Sequence, residues 1–362
     1  MGGERIAVLG AGNTGVALAA ELALAGHEVL LWEQPAFAGA VEPIRRGREL
    51  RLEGTARTGR AELAGATTDP AEALAWSATL LCSVPSYAHA PILRQILPFL
   101  RPGHLLALLP GNLGALAVGR ALGAAGVAGI TVAESDTAPY VCRKTGPDAA
   151  VIWGTVTGLG VGVWPAAETA PAMARLEPLF PGAVAYGNVL EAGLSALNPV
   201  VHPAGVLLNA GRIERSRGEF WFYEEGVTPG VVAAIEAVDG ERRALGAALG
   251  LGLTPVAEAF ARAGFGPASA DLWAVINGSR MLTALRAPGA LDSRWLSEDV
   301  PYGLATWSLL GDALGLATPT IDALVTLASA VLATDFRASA RGLEELGLAG
   351  LDAAGMLVAA LG

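Results

Sequence analysis

Three glycines near the start of the chain have the spacing of a phosphate-binding loop. The sequence Gly10-Ala-Gly12-Asn-Thr-Gly15 follows an apolar run and precedes a helical pattern over residues 14–25. In such a loop the first glycine permits a tight turn, the second lets the backbone approach a pyrophosphate, and the third lets the helix pack closely on the strand. The pattern predicts a dinucleotide-binding site formed by Gly10, Gly12, Asn13, Thr14 and Gly15. The alternative is that the glycines only make a tight turn.

An acidic residue stands where the adenosine ribose of a dinucleotide would lie. Glu33 ends the second predicted strand, 21 residues after Gly12. A carboxylate there can accept hydrogen bonds from both ribose hydroxyls and repels a 2′-phosphate, so the sequence favours NAD as cofactor. NADP is the second candidate, because Arg45, Arg46 and Arg48 follow and could bind a phosphate. A solvated helix face explains these arginines more simply.

Two later loops are expected to face the same cofactor. Ser83 and Pro85 follow one predicted strand, and Asn112 follows the next, after Pro110 and Gly111. Ligands of open α/β sheets bind outside the carboxyl ends of the strands, where these loops lie. Each loop, taken alone, is equally well explained as ordinary turn chemistry.

The order of elements predicts two domains of different class. Strands are predicted at 4–9, 27–32, 62–66, 78–84, 104–110, 129–133 and 150–157. Helices are predicted between several of them, at about 70–76, 87–99 and 113–125. This alternation indicates a Rossmann-type, doubly wound α/β domain over residues 1–186. Residues 187–362 show long helical periodicities and predict an all-α domain. Helix starts are expected where a capping residue precedes proline, at Asn198-Pro199, Thr228-Pro229 and Thr318-Pro319.

Composition excludes several classes of function. The net charge of -10 without a basic cluster argues against nucleic-acid binding. Two cysteines and four scattered histidines predict neither a disulfide framework nor a metal site. The apolar stretches are broken by Gly, Thr and Pro, so no membrane span is expected. Because a strand begins almost at the first residue, we predict no signal peptide and a cytoplasmic location.

One histidine of the second half is a candidate for proton transfer. His202 stands directly before a proline in the apolar segment Asn198–Asn209. Histidine is the side chain best matched to acid–base chemistry at neutral pH. A histidine packed into the core, with its polar atoms satisfied, is the alternative that the residues alone leave open.

At this point the sequence resembles the octopine/opine dehydrogenase family along nearly the whole chain. Beyond the glycine loop, the resemblance is carried by four segments: Glu134–Arg143, Asn198–Asn209, Phe222–Pro229 and Arg294–Leu304. Members of that family condense the amine of an amino acid with an α-keto acid and reduce the imine with NAD(P)H. The resemblance implies that reaction here, with pyruvate as the expected keto acid, together with a Rossmann domain and a helical domain. A homodimer through the helical domain is a separate hypothesis that the sequence does not demonstrate.

The resemblance also implies roles for particular residues. His202 and Asp299 match the acid–base pair of the family, in which the carboxylate holds the imidazole tautomer. Arg294 matches the arginine that binds the keto acid, and Glu134 matches the acidic residue near the amino-acid substrate. Asn198, Tyr140 and Arg143 are further expected substrate contacts. For Tyr140 and Arg143 an internal polar contact beside the cofactor loop is an equal alternative.

Two other functions compete with this interpretation. A two-domain dehydrogenase of the 2-hydroxyacid or ketopantoate type would have a catalytic lysine in or near its second domain. Lys144 is the only lysine of the chain and lies in the first domain, which argues against that type. A non-catalytic NAD-binding sensor is the other alternative, because a fold alone does not fix a function.

Overall fold

The computed structural model describes residues 3–362, and these form two compact units. The first unit runs to Val189 and includes Gly362, and the second comprises Leu190–Leu361. The units therefore divide three residues after the boundary predicted at residue 186.

An eight-stranded sheet forms the centre of the first unit. Its strand order is β12-β11-β8-β7-β6-β1-β2-β5, and all neighbours are parallel except β11 and β8. β1, β6 and β7 are apolar runs buried almost throughout, which is typical of parallel strands covered on both faces. The strands are β1 Arg5–Leu9, β2 Glu28–Trp32, β5 Gly65–Thr67, β6 Thr79–Cys82, β7 Leu105–Leu108, β8 Thr131–Ser135, β11 Gly160–Trp164 and β12 Val184–Ala185.

A second sheet of four strands was not predicted. It has the order β4-β3-β10-β9 and is built from β3 Glu49–Gly54, β4 Gly59–Glu62, β9 Tyr140–Gly146 and β10 Ala149–Thr155. The single strand predicted at 62–66 is therefore wrong, because the chain changes sheets there. Leu63 N–H donates to Arg48 O beside β3, whereas Ala64 N–H donates to Val29 O in β2. The strand predicted at 150–157 exists as β10 but pairs with β3 and β9 instead of joining the parallel sheet.

Helices cover the strands of the first unit. The predicted helix at 14–25 is confirmed as α1 and carries a continuous buried stretch from Gly15 to Leu22. The helix predicted over 87–99 is shorter, because 3₁₀ turns precede and follow it at Ser86–Ala88 and Leu97–Phe99. The helices are α1 Asn13–Leu24, α2 Glu42–Gly47, α3 Pro70–Trp76, α4 His89–Ile96, α5 Gly114–Ala124 and α6 Thr169–Leu176, with further 3₁₀ turns at Pro35–Ala40 and Ala166–Glu168.

Helices make up the regular structure of the second unit, as predicted. They are α7 Val189–Leu194, α8 Asn198–Leu208, α9 Ala210–Ser216, α10 Pro229–Ala248, α11 Val256–Arg262, α12 Leu272–Asn277, α13 Arg294–Ser297, α14 Ala305–Leu314, α15 Pro319–Leu332, α16 Leu343–Leu346 and α17 Ala353–Leu361. Two π-helical turns lie at Phe222–Gly226 and Val300–Leu304. α8 contacts α10, α13, α15 and the second π turn, so it lies in the middle of the unit. Within residues 3–362, no helix combines the length and apolar character that a membrane crossing requires.

Prolines open three of these helices, where the sequence predicted helix starts. Pro199, Pro229 and Pro319 each stand in a first turn, where the missing N–H costs nothing. The capping part of the prediction is wrong, because Thr228 and Thr318 make no side-chain cap bond. Asn198 is already the first residue of its helix.

Candidate active site

The glycine loop follows β1 and shows two different needs for glycine. Gly10 has φ +104°, and a Cβ there would lie 2.4 Å from Val84 Cγ1. A Cβ on Gly15 would lie 1.8 Å from Gly10 O, so the turn itself requires both residues. Gly12 is exposed, and a Cβ there would meet nothing within 4 Å. The protein's own packing does not require Gly12, which fits the close approach of a ligand.

Glu33 joins the end of β2 to this loop. Its carboxylate is buried and accepts hydrogen bonds from Ala11 N–H (2.7 Å) and Gln34 N–H (2.8 Å). These contacts fix both oxygens, while each carboxylate oxygen still has a second lone pair for a ribose hydroxyl. The position of Glu33 beside the glycine loop therefore fits the adenosine end of a dinucleotide.

The second sheet reaches the same loop through β9. Lys144 N–H donates to Asn13 Oδ1 (2.9 Å), and the Lys144 ammonium donates to Ala11 O (3.2 Å). Thr14 Oγ1 lies 3.8 Å from Cys142 Sγ, and burial raises the pKa of that thiol to about 11. The side chains of Asn13 and Thr14 are therefore engaged by β9. Their predicted contact with the cofactor stays a prediction.

Two further predicted loops lie at the carboxyl edge of the large sheet. Ser83 follows β6 and donates its N–H to Leu9 O at the end of β1 (2.9 Å). Asn112 follows β7, has φ 51°, and donates from Nδ2 to Ser86 Oγ (2.8 Å). Pro85 is half-buried in the loop after β6. These residues surround the carboxyl ends of adjacent parallel strands, where dinucleotides bind in sheets of this kind.

Three residues predicted to bind substrate are also placed in the first unit. Glu134 is completely buried in β8, where its carboxylate accepts the N–H groups of Leu113 (3.2 Å) and Ala115 (2.8 Å) at the start of α5. Tyr140 begins β9 in the other sheet and is buried, which raises the pKa of its phenol. Arg143 is exposed on the same strand. The structure thus gives Glu134 a helix-capping task, and substrate contacts of the three residues remain predictions.

In the second unit His202 is held on three sides. Its Nδ1 lies 2.8 Å from Asp299 Oδ2, and its Nε2 lies 3.1 Å from the Tyr223 hydroxyl. The Trp295 ring stacks on the imidazole with centroids 4.4 Å apart and planes 7° apart. Since an ionised carboxylate only accepts, Nδ1 carries a proton and Nε2 is the nitrogen that exchanges one.

Burial sets the electrostatics of this centre. The pKa of Asp299 is raised by burial, an effect that its hydrogen bond with His202 opposes and neighbouring Glu298 reinforces. The pKa of Tyr223 is also raised, first by burial and then by the charge of Asp299. Tyr223 therefore remains a neutral phenol, which can accept a proton while it donates its own.

Two further predicted substrate contacts, Arg294 and Asn198, lie on the helices that carry Trp295 and His202. Arg294 opens α13, and its Nε lies 2.7 Å from Glu298 Oε2 in the next turn. Glu298 is buried, so this contact orients the guanidinium plane. Asn198 is half-buried, one turn before His202 on α8.

Sequence reasoning missed Tyr223, Trp295 and Glu298. All three stand inside segments that carry the family resemblance, so a search of those segments for polar or aromatic neighbours of His202 could have proposed them. The spacing of Tyr223 and Trp295 alone does not predict a role in the site, because an aromatic residue next to a phenylalanine or an arginine is most often a packing residue.

The fold and the two sets of residues define a two-domain NAD(P)-dependent dehydrogenase. Residues 185–332 match the family described as NAD/NADP octopine/nopaline dehydrogenase, alpha-helical domain. Residues 5–110 match NAD-dependent glycerol-3-phosphate dehydrogenase N-terminus. An opine dehydrogenase from Arthrobacter sp. (strain 1C) is 35% identical, with 97% of each chain covered.

The chain belongs to the opine dehydrogenase family and is an NAD(P)-dependent oxidoreductase acting on CH–NH groups. Among solved structures, octopine dehydrogenase in complex with NADH and agmatine has a TM-score of 0.77 at 20% identity, with 95% of each chain covered. Yersinopine dehydrogenase with NADP⁺ has a TM-score of 0.74 at 20% identity, covering 99% of this chain and 98% of that one. These likenesses confirm the predicted fold.

Two glycine substitutions separate stability from cofactor binding. Gly15→Ala places a Cβ against a carbonyl oxygen, so we expect a loss of about 1–3 kcal/mol in the free energy of unfolding. Gly12→Ala meets nothing in the protein, so its thermal midpoint should be unchanged while the Kd for NADH rises about tenfold or more. Thermal denaturation and NADH fluorescence titration measure the two effects. Unchanged NADH affinity in Gly12→Ala would contradict the assigned site.

The raised pKa of Asp299 predicts the acid limb of the pH profile. Asp299 must be ionised to support His202, so kcat/KM should fall with decreasing pH at a value above the ordinary aspartate range. Asp299→Asn should lower kcat by about 10²–10⁴-fold and remove that limb. Exposed Asp292→Asn loses the same charge nearby and is the control. A profile of Asp299→Asn that keeps the wild-type limb would exclude Asp299 as its source.

Proposed function

We propose that the protein catalyses the reversible, NAD(P)H-dependent condensation of an α-keto acid with the amine of an amino acid, giving a secondary amine dicarboxylate. The observation that supports this most directly is the His202 imidazole held between the Asp299 carboxylate and the Tyr223 hydroxyl. A largely buried histidine with one nitrogen fixed by a carboxylate is equipped to move protons at the other nitrogen.

The chemistry requires two changes at the keto-acid carbon. The amine adds to the carbonyl, and the hydroxyl of the adduct takes up a proton and departs as water, leaving a protonated imine. The carbon of that imine then accepts a hydride, which gives the secondary amine. When bound, NAD(P)H supplies the hydride for this reduction. Protonated His202 donates the proton that the departing hydroxyl needs, and Asp299 stabilises the imidazolium before that transfer.

Tyr223 is the relay in this scheme. Its hydroxyl lies 3.1 Å from His202 Nε2, the nitrogen that exchanges a proton. A neutral phenol can accept that proton while it releases its own to the reacting centre. Trp295, stacked on the imidazole, fixes the plane in which both ring nitrogens lie.

Arg294 is the proposed ligand of the keto-acid carboxylate. Its planar guanidinium suits bidentate binding of a carboxylate, and the Glu298 contact through Nε sets its orientation. Pyruvate is the keto acid we propose, and the amino-acid partner is to be identified by the experiment below. Glu134, Asn198, Tyr140 and Arg143 remain proposed contacts of the substrates.

The hydroxyacid-type alternative is not favoured. Enzymes of that type typically have a catalytic lysine in or near the second domain, whereas the one lysine of this chain donates to the glycine loop in the first unit. The non-catalytic alternative gives no reason for a histidine held between a buried carboxylate and a buried phenol. We also propose a cytoplasmic homodimer, consistent with two free cysteines; light scattering of the purified 36.7 kDa chain tests the dimer.

The reaction is tested by oxidation of NADH and NADPH with pyruvate and a panel of amino acids, with mass determination of the product. We expect turnover only when keto acid and amine are both present, and a secondary amine as product. His202→Ala should lower kcat by about 10²–10⁴-fold and leave the Kd for NADH unchanged. Turnover with the keto acid alone would favour a hydroxyacid dehydrogenase, and unchanged kcat in His202→Ala would remove His202 from the mechanism.

Tyr223→Phe keeps the ring and removes the hydroxyl. If Tyr223 relays the proton, kcat should fall about 10²-fold with little change in the KM for the keto acid. The solvent deuterium isotope effect on kcat should change as well, because the path of the proton has changed. A higher KM with kcat and isotope effect unchanged would show that Tyr223 only shapes the substrate site.

A further inference from the structure

Lys144 lies against the glycine loop in a fixed position. Its backbone N–H donates to Asn13 Oδ1 (2.9 Å), and its ammonium donates to Ala11 O (3.2 Å). Ala11 is the residue between the first two glycines of the loop. The side chain is half-buried, so the second sheet presents a partly desolvated cation to the loop that is expected to hold the cofactor.

Lys144 and Glu33 approach the same residue of the loop. Ala11 N–H donates to Glu33 Oε2 (2.7 Å), and Ala11 C=O accepts from Lys144. The two charges attract each other without a direct ion pair among the described residues, and Glu33 partly offsets the burial that lowers the pKa of Lys144. Glu33 stands where the ribose 2′-hydroxyl of a dinucleotide is recognised. The Lys144 ammonium and the Glu33 carboxylate contact the same loop residue, Ala11.

The ammonium group has hydrogen-bonding capacity beyond the loop. It carries three N–H donors, and within residues 3–362 Ala11 O is the one acceptor it contacts. A half-buried cation with donors to spare is well suited to an anionic ligand. Of the three arginines that the sequence offered for a phosphate, Arg45 and Arg46 both pair with Glu42 on the exposed side of α2.

We propose that Lys144 binds the 2′-phosphate of NADPH, so that Glu33 and Lys144 together allow the enzyme to use both NADH and NADPH. Glu33 accepts the ribose hydroxyls of NADH, and Lys144 offsets the repulsion between Glu33 and a 2′-phosphate. This inference rests on the dinucleotide site proposed at the glycine loop. Failure of that site would abolish NADH binding, whereas failure of the present inference alters only the preference between the two cofactors.

The test is a titration of the protein with NADH and with NADPH in the absence of substrates, in which the fluorescence of the cofactor reports binding. Lys144→Ala should raise the Kd for NADPH about tenfold to a hundredfold, as expected for loss of a charge-assisted hydrogen bond. The Kd for NADH should change by less than about threefold. Lys144→Arg keeps the cation and should keep NADPH binding. Arg60→Ala, an exposed residue on the opposite edge strand of the same sheet, controls for the loss of charge.

A second pair of variants tests the link between the two charges. Glu33→Gln should lower the Kd for NADPH by removing the repulsion, and adding Lys144→Ala should cancel that gain. Equal weakening of NADH and NADPH in Lys144→Ala would overturn the proposal in favour of a contact with the shared diphosphate or the loop. Unchanged NADPH affinity in Lys144→Ala, or no NADPH binding by the wild type, would overturn it outright.

Discussion

The hydrogen bond between Asp299 and His202 joins residues 97 positions apart and sets the geometry of the proposed proton-transfer centre. Both partners are largely removed from water, where an unpaired carboxylate or imidazole would be costly. The bond therefore fixes how α8 lies against the segment that begins with α13. Tyr223 and Trp295 then complete the surroundings of the ring, and together they leave the imidazole one orientation and one exchangeable nitrogen.

The first unit is governed by strand direction. Because β1, β2, β6 and β7 run parallel, their carboxyl ends lie at one edge and bring together loops that are far apart in sequence. The second sheet adds a further constraint on the glycine loop, which does not follow from the direction of the parallel strands. β9 crosses the start of α1, and its side chains reach the backbone of the glycine loop. The glycine loop is thus held both by the large sheet and by β9.

The sequence predicted the parts of the fold that depend on local patterns. The glycine spacing, the buried strands and Glu33 all follow from rules that act over about thirty residues. The second sheet escaped prediction because β10 pairs with the distant strand β3, with Ala149 opposite Arg51, and because the chain changes sheets between Leu63 and Ala64. His202 and Asp299 came from family resemblance, since no spacing rule joins residues so far apart. The sequence predicted a substrate contact for Glu134, whereas in the structure its buried carboxylate caps the start of α5. That contact could not be predicted because it depends on how β8 packs beside α5.

A chain with a single lysine also has a single side-chain amine. Its pKa is lowered by burial, so a larger share of the amine is unprotonated near neutral pH than for a lysine in water. An amine-directed reagent would therefore have one side-chain target, and that target touches the glycine loop of the proposed cofactor site. The rate at which such a reagent modifies Lys144 would therefore report cofactor binding, because a cofactor bound over the loop would slow the reaction.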